Sequence, residues 1–116
     1  MSVKVDLGEL TEHLRHYGFA YLMTVGDDLR AHAVAVHPML DGRQLEVAEL
    51  GGTSRANVEA RPGVSLVWPP FEHGGYSLVV DGQATVTGAG ATVTLEHAIL
   101  HRPAEGGGHD CVPLES

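Results

Sequence analysis

The feature that most constrains this chain is a change of hydrophobic period. Over residues 6–17 apolar side chains recur every three to four positions, so that Leu7, Leu10, Leu14 and Tyr17 share one helical face. Asp6 is placed as the N-cap, Glu9 stands at the capping-box spacing, and Gly18 follows as the stop. From Phe19 onward the period falls to two, and turn residues cut the chain into short segments. Phe19 to Val25 closes at Gly26-Asp27-Asp28, Ala31 to His37 leads to a hairpin signal at Asp41-Gly42, and Gln44 to Ala48 makes a third strand. Gly63 to Trp68 stops at Pro69-Pro70. Tyr76 to Thr87 is long, with Asp81-Gly82 as a bulge or bend, and Ala91 to Leu100 is a last strand or a strand that turns helical. Short strands at hairpin spacing protect their edges best by curling into a small barrel. The expectation is a mainly β fold: a six-stranded antiparallel barrel with a short N-terminal helix and one helix between the third and fourth strands. That second helix is expected within residues 49–62, with Thr53 or Ser54 as its N-cap.

Length sets the scale. At 116 residues the chain is one domain, expected over residues 1–103, with an irregular tail over 104–116. A chain of this size buries roughly 65% of its unfolded surface. Little interior is left to enclose a large ligand, so a ligand site is expected in a surface cleft or at a subunit interface. Seven Lys and Arg against fifteen Asp and Glu give a charge of −8, which repels nucleic acid and anionic membrane unless the cations cluster. No apolar run approaches the ~18 residues of a membrane span, and the acidic N-terminal pattern does not read as a signal peptide. Cys111 is the single cysteine, so no internal disulfide forms and a reducing, cytoplasmic setting is expected.

Three segments could carry chemistry. The first is Gly51 to Asn57. Its glycines admit close approach to the backbone, Thr53 and Ser54 offer hydroxyls at a helix start, and Arg55 supplies a guanidinium that suits phosphate. A plain capped helix uses the same residue types. The second is the set of eight histidines. His97 and His101, like His13 and His16, have spacings that share a helix face, but neither pair has a Cys or an HExxH-type Glu beside it, so no metal site is assigned. The third is Trp68, Phe71 and Tyr76 around the Pro-Pro turn, which could pack in the core, stack on a flat ligand or line a dimer interface. No GxSxG elbow or Walker loop is present, and no catalytic residue is assigned.

The order of the pieces GFAYLMTVGDD, AHAVAVHPMLDGRQLEVA, GGTSRANVEARPGVSLVW and GGYSLVVDGQATV resembles the pyridoxamine 5′-phosphate oxidase-like, FMN-binding split-barrel family, over residues 6–102. The resemblance implies a split barrel that forms a homodimer with flavin sites between the subunits. It implies phosphate binding by Thr53, Ser54, Arg55 and Asn57, and an isoalloxazine ring along His32, Ala33, Val34, Ala35 and Val36. The partner's contribution would come from the region of Trp68 to Tyr76. Where many relatives carry a lysine, this chain has Ser54, so the family's pair of cations is reduced to Arg55. The C-terminal substrate-binding strand of true pyridoxamine phosphate oxidases has no counterpart, so pyridoxal phosphate synthesis is not expected.

The function implied is an FMN-dependent oxidoreductase acting on a small molecule. A deazaflavin-dependent reductase and a non-catalytic dimeric flavin- or haem-binding protein are the alternatives.

Overall fold

The computed structural model describes residues 2–104. The tail expected from residue 104 onward lies, apart from Ala104, outside the described residues, as do Cys111 and His109. Eight strands form one antiparallel sheet: β1 (Ser2–Val5), β2 (Ala20–Val25), β3 (Ala31–Val36), β4 (Met39–Asp41), β5 (Gln44–Val47), β6 (Gly63–Trp68), β7 (Ser77–Thr87) and β8 (Gly90–His101). Two helices accompany them, α1 (Leu10–Leu14), preceded by a 3-10 turn at Leu7–Glu9, and α2 (Gly52–Ala60). The spatial order is β3-β2-β6-β7-β8-β5-β4, and β1 also pairs with β8.

The expected count of six strands is corrected to eight. β1 pairs with Ala98 to His101, at the far end of the described residues, and a four-residue segment with so distant a partner carries little local signal. β4 is a three-residue hairpin arm against β5, turning at Gly42, whose φ is +63°. The long strand β8 accommodates both additions by pairing with β5 through residues 91–94 and with β1 through residues 98–101.

Register explains the two faces of the sheet. Val34, Leu22, Leu66, Val80 and Ala98 lie side by side across five strands. All but half-buried Val34 belong to the core. Leu10 of α1 and Val58 of α2 are likewise buried in this core. The expected irregularity at Asp81-Gly82 is present as a register shift between β7 and β8. Gly82 is needed there, because a Cβ would lie 2.4 Å from the carbonyl oxygen of Thr94.

Two local readings are corrected and one open alternative is decided. The first helix is shorter than residues 6–17. Asp6 caps the 3-10 turn, its carboxylate accepting from Gly8 N at 2.9 Å, and α1 ends at Arg15 rather than at Gly18. Its final turn tightens to bonds from His16 N to His13 O and from Tyr17 N to Leu14 O. Gly18 instead lies under the ring of Phe71, where a Cβ would stand 3.2 Å from Cζ. The N-cap of α2 is Gly51, not Thr53 or Ser54. Of the two alternatives for Ala91 to Leu100 the strand is the one found: residues 90–101 are extended throughout, so His97 and His101 sit on a strand.

Candidate functional site

α2 begins without a side-chain cap. Its N-cap is a glycine, its first turn holds no acid, and its first intrahelical bond runs from Arg55 N to Gly51 O at 3.0 Å. The N–H groups of the first turn therefore have neither an intrahelical acceptor nor a capping oxygen, and the dipole there favours negative charge. Ser54 stands in this turn. It is 1% exposed, and its Oγ has no hydrogen-bond partner among the described residues. A buried hydroxyl in that state costs on the order of 1–3 kcal/mol unless something bonds it. Thr53, one position earlier, is exposed.

The rest of α2 is fastened from two directions. Asn57 Nδ2 donates to Thr24 Oγ1 at 3.0 Å in a buried contact with β2. Arg61, just past the helix, donates from Nη1 to Asp27 Oδ1 at 2.9 Å in the β2–β3 turn. These contacts bring the turn against the helix and form a cleft of about 520 Å³ lined by Gly26, Asp27, Arg30, His32, Thr53 and Asn57, among others. Asp28 in the same turn accepts from Arg30 N at 3.0 Å and lies 3.9 Å from its guanidinium. The two carboxylates of the turn thus each have an arginine partner.

Of the residues singled out from the sequence, His32, Thr53 and Asn57 meet in this cleft, with Ser54 buried in the adjoining helical turn. β3 lies at the edge of the sheet, paired on one side with β2. Val34 and Val36 turn toward the core, whereas Ala33 and Ala35 are exposed on the outer face. Arg55 does not line the cleft. Its Nη1 donates to the carbonyl oxygen of Gly88 in the β7–β8 turn at 2.9 Å. Trp68 is 2% exposed and belongs to the core. Tyr76 lies beyond the other end of β2, where its carbonyl accepts from the Tyr17 hydroxyl at 2.9 Å. Arg30 was missed by sequence reasoning. In the sequence it is one residue after a turn, and nothing local shows that the turn folds back onto α2.

Elsewhere, His97 Nε2 lies 2.7 Å from Asp81 Oδ2, and Ser65 Oγ bonds the other oxygen of Asp81. The central group of the three is the carboxylate, so the imidazole does not face the serine, and the order differs from the Ser–His–Asp arrangement of a hydrolase. His101 Nδ1 is paired with Ser2 Oγ at 2.9 Å. Among the described residues no cluster of three or more His, Cys, Asp or Glu side chains could hold a metal, and no helix is long and apolar enough to cross a membrane.

A curled antiparallel sheet with a helix start beside its edge strand defines the class. The fold is the split barrel of pyridoxamine 5′-phosphate oxidase-like proteins, as the sequence resemblance implied. A FAD-binding protein from Mesorhizobium loti superposes with a TM-score of 0.68 at 14% identity, over 89% of this chain and 98% of that one. An F420 reductase superposes with a TM-score of 0.59 at 16% identity, over 74% and 91%. No family model matches the chain. It is 41% identical over 133 aligned positions to an uncharacterized protein of Mycobacterium bovis, covering 94% of each, and matches one from Mycobacterium tuberculosis to the same extent. The chain belongs to the family of these mycobacterial proteins.

Proposed function

We propose that the chain binds a flavin-type cofactor, FMN in the first instance, in the cleft between α2 and the β2–β3 hairpin, and serves as an oxidoreductase for a small molecule. The observation that carries this reading is the buried, unpartnered Ser54 Oγ in an uncapped helical turn. A phosphate would satisfy the hydroxyl and the N–H groups together. Thr53 adds a second hydroxyl, and Arg30 is the cation lining the cleft. Asn57 acts by holding the helix against Thr24. The open side of β3, from His32 to Val36, offers backbone groups to a flat ring. The cofactor would supply hydride chemistry, and the protein would supply its binding and orientation. FAD-binding and F420-reducing proteins of the same fold support a flavin or deazaflavin.

A homodimer is part of the same proposal. On the outer face Ala35, Tyr21, Val67, Val79 and Ile99 form one continuous row across five strands. Tyr21 is 41% exposed in the single chain. A wide apolar face of this kind fits a second copy of the chain.

Thermal shift with FMN and with the deazaflavin in parallel, alongside light scattering, tests the reading. The expected result is a dimer stabilised by one of the two cofactors. At a hundredfold excess over Kd that stabilisation is about 2.7 kcal/mol. Protein that is colourless as purified and unshifted by either cofactor would overturn it.

A further inference from the structure

We infer that the chain carries a further binding site, for a zwitterionic amino acid with a small apolar side chain, where β8 changes partner from β5 to β1. Its lining shares no residue with the flavin cleft, and the inference does not rest on the flavin reading. β5 pairs with β8 up to Thr94, and β1 takes over at Ala98. Residues 95–97 lie between the two. On the other edge of β8 the register against β7 shifts at the same place, with His97 opposite Asp81 and Leu95 opposite Gly82. Glu96 is the extra residue of this bulge, a feature that re-aims side chains. A pocket of about 500 Å³ opens here, a volume in the range of small-molecule sites.

Four charged side chains line the pocket, two of each sign: Lys4 on β1, Asp6 just after it, Arg43 just before β5, and Glu96 in the bulge. No ion pair joins any two of them. Of the chain's seven Lys and Arg residues, Arg15, Arg30 and Arg61 face carboxylates, Arg55 donates to the Gly88 carbonyl, and Arg102 lies over the Tyr76 ring. Lys4 and Arg43 are the two whose side chains have no hydrogen bond or ion pair among the described residues. The carboxylates are held by neutral donors. Gly8 N donates to Asp6 Oδ1 at 2.9 Å, and the Gln83 amide faces the two oxygens of Glu96 at 3.4 and 3.3 Å. His97 also lines the pocket, but its Nε2 lies 2.7 Å from Asp81 Oδ2, so a charge on the ring is matched by that carboxylate.

The pocket thus offers both signs of charge with no excess of either. A simple anion gains from Lys4 and Arg43 but meets Asp6 and Glu96, and a simple cation meets the reverse. A molecule with one carboxylate and one ammonium group finds an opposite charge for each, through charge-assisted hydrogen bonds that are roughly twice as strong as neutral ones. The rest of the lining is apolar: Val5 is buried, and Leu7 packs half-buried against the core. These two suit a small aliphatic side chain. Lys4 pairs with Ile99, the end of the apolar outer row, so the pocket sits at the margin of the face proposed for a second copy.

The probe is L-leucine, titrated into the full-length protein with amide shifts read by NMR. Isocaproate, which lacks the ammonium group, and isoamylamine, which lacks the carboxylate, are its counterparts. The expected result is saturable binding of leucine with a Kd of about 1 mM or tighter. It should shift the amides of residues 4–7, 43 and 95–97, with or without saturating FMN, and each counterpart should bind about tenfold more weakly. Arg43→Gln and Lys4→Gln should each weaken leucine about tenfold. Glu96→Gln should weaken leucine and strengthen isocaproate. All three side chains belong to exposed residues, so the variants should keep the wild-type spectrum elsewhere. Shifts that rise without saturating, a counterpart that binds as tightly as leucine, unchanged affinity in Arg43→Gln and Lys4→Gln, or displacement of leucine by FMN would overturn the proposal. Because the leucine arm also runs without FMN, its result is separate from the fate of the flavin reading.

Discussion

The side-chain amide of Asn57 donates to the hydroxyl of Thr24 at 3.0 Å, and both residues are buried. This bond joins the middle of α2 to the end of β2, and it sets the distance between the helix start and the edge of the sheet. Asn57→Ala leaves the Thr24 hydroxyl without its donor, and Thr24→Val strands the amide. Each change should lower stability by about 1–3 kcal/mol. A double-mutant cycle in urea denaturation should show that the two losses do not add, because they remove the same contact.

Ser54→Ala should behave in the opposite way. The Oγ has no partner to lose, so the ligand-free protein should unfold at an unchanged or higher urea concentration. FMN affinity should fall about tenfold, the equivalent of one hydrogen bond of ~1.4 kcal/mol to a charged group. Loss of stability with unchanged affinity would show that Ser54 serves only the fold.

Two glycines should respond differently to alanine. A Cβ at Gly90 would stand 1.8 Å from the carbonyl oxygen of Val47, which is backbone and cannot step aside, so Gly90→Ala should break the β5–β8 junction at a cost of about 4 kcal/mol or more. Gly42 has open space around it and a φ of +63°, so Gly42→Ala should cost only the left-handed conformation, about 1–2 kcal/mol. Midpoints from thermal or urea unfolding distinguish the two.

Burial pushes the Tyr17 phenol above its ordinary value of 10.0. In the folded chain the neutral form is favoured, so between pH 10.0 and the raised value the native state holds a proton that the unfolded state has released. Stability should therefore be intact below that window and fall as pH rises through it. Tyr17→Phe removes this component of the alkaline loss, together with the bond to Tyr76 O. Urea midpoints of the two proteins between pH 8 and pH 11 provide the check.

How much was legible in the sequence follows from how local each signal is. The period-two segments, the Asp41-Gly42 turn and the bulge at Asp81-Gly82 all formed close to where the residues placed them. Their causes lie within a few residues: alternating apolar side chains, and turn types with restricted backbone. β1 and β4 went unread because each is shorter than a self-sufficient signal and exists through its partner, β8 for one and β5 for the other. The fold class was legible as a resemblance because the order of turns and strands survives where individual residues differ.

The candidate site was legible only in outline. Sequence alone determined that hydroxyls, glycines and a cation gather at residues 51–57, and that an acidic chain with few cations must place them sparingly. Tertiary structure decided what each one does. It made Gly51 the cap, buried Ser54 without a partner, gave Asn57 to Thr24, and drew Arg55 away to Gly88. It also brought Arg30 to the cleft and left Trp68 in the core. The physical reason is that each outcome depends on which distant backbone or side chain comes within about 3 Å, and hydrogen-bond partners 33 residues away leave no trace in local pattern.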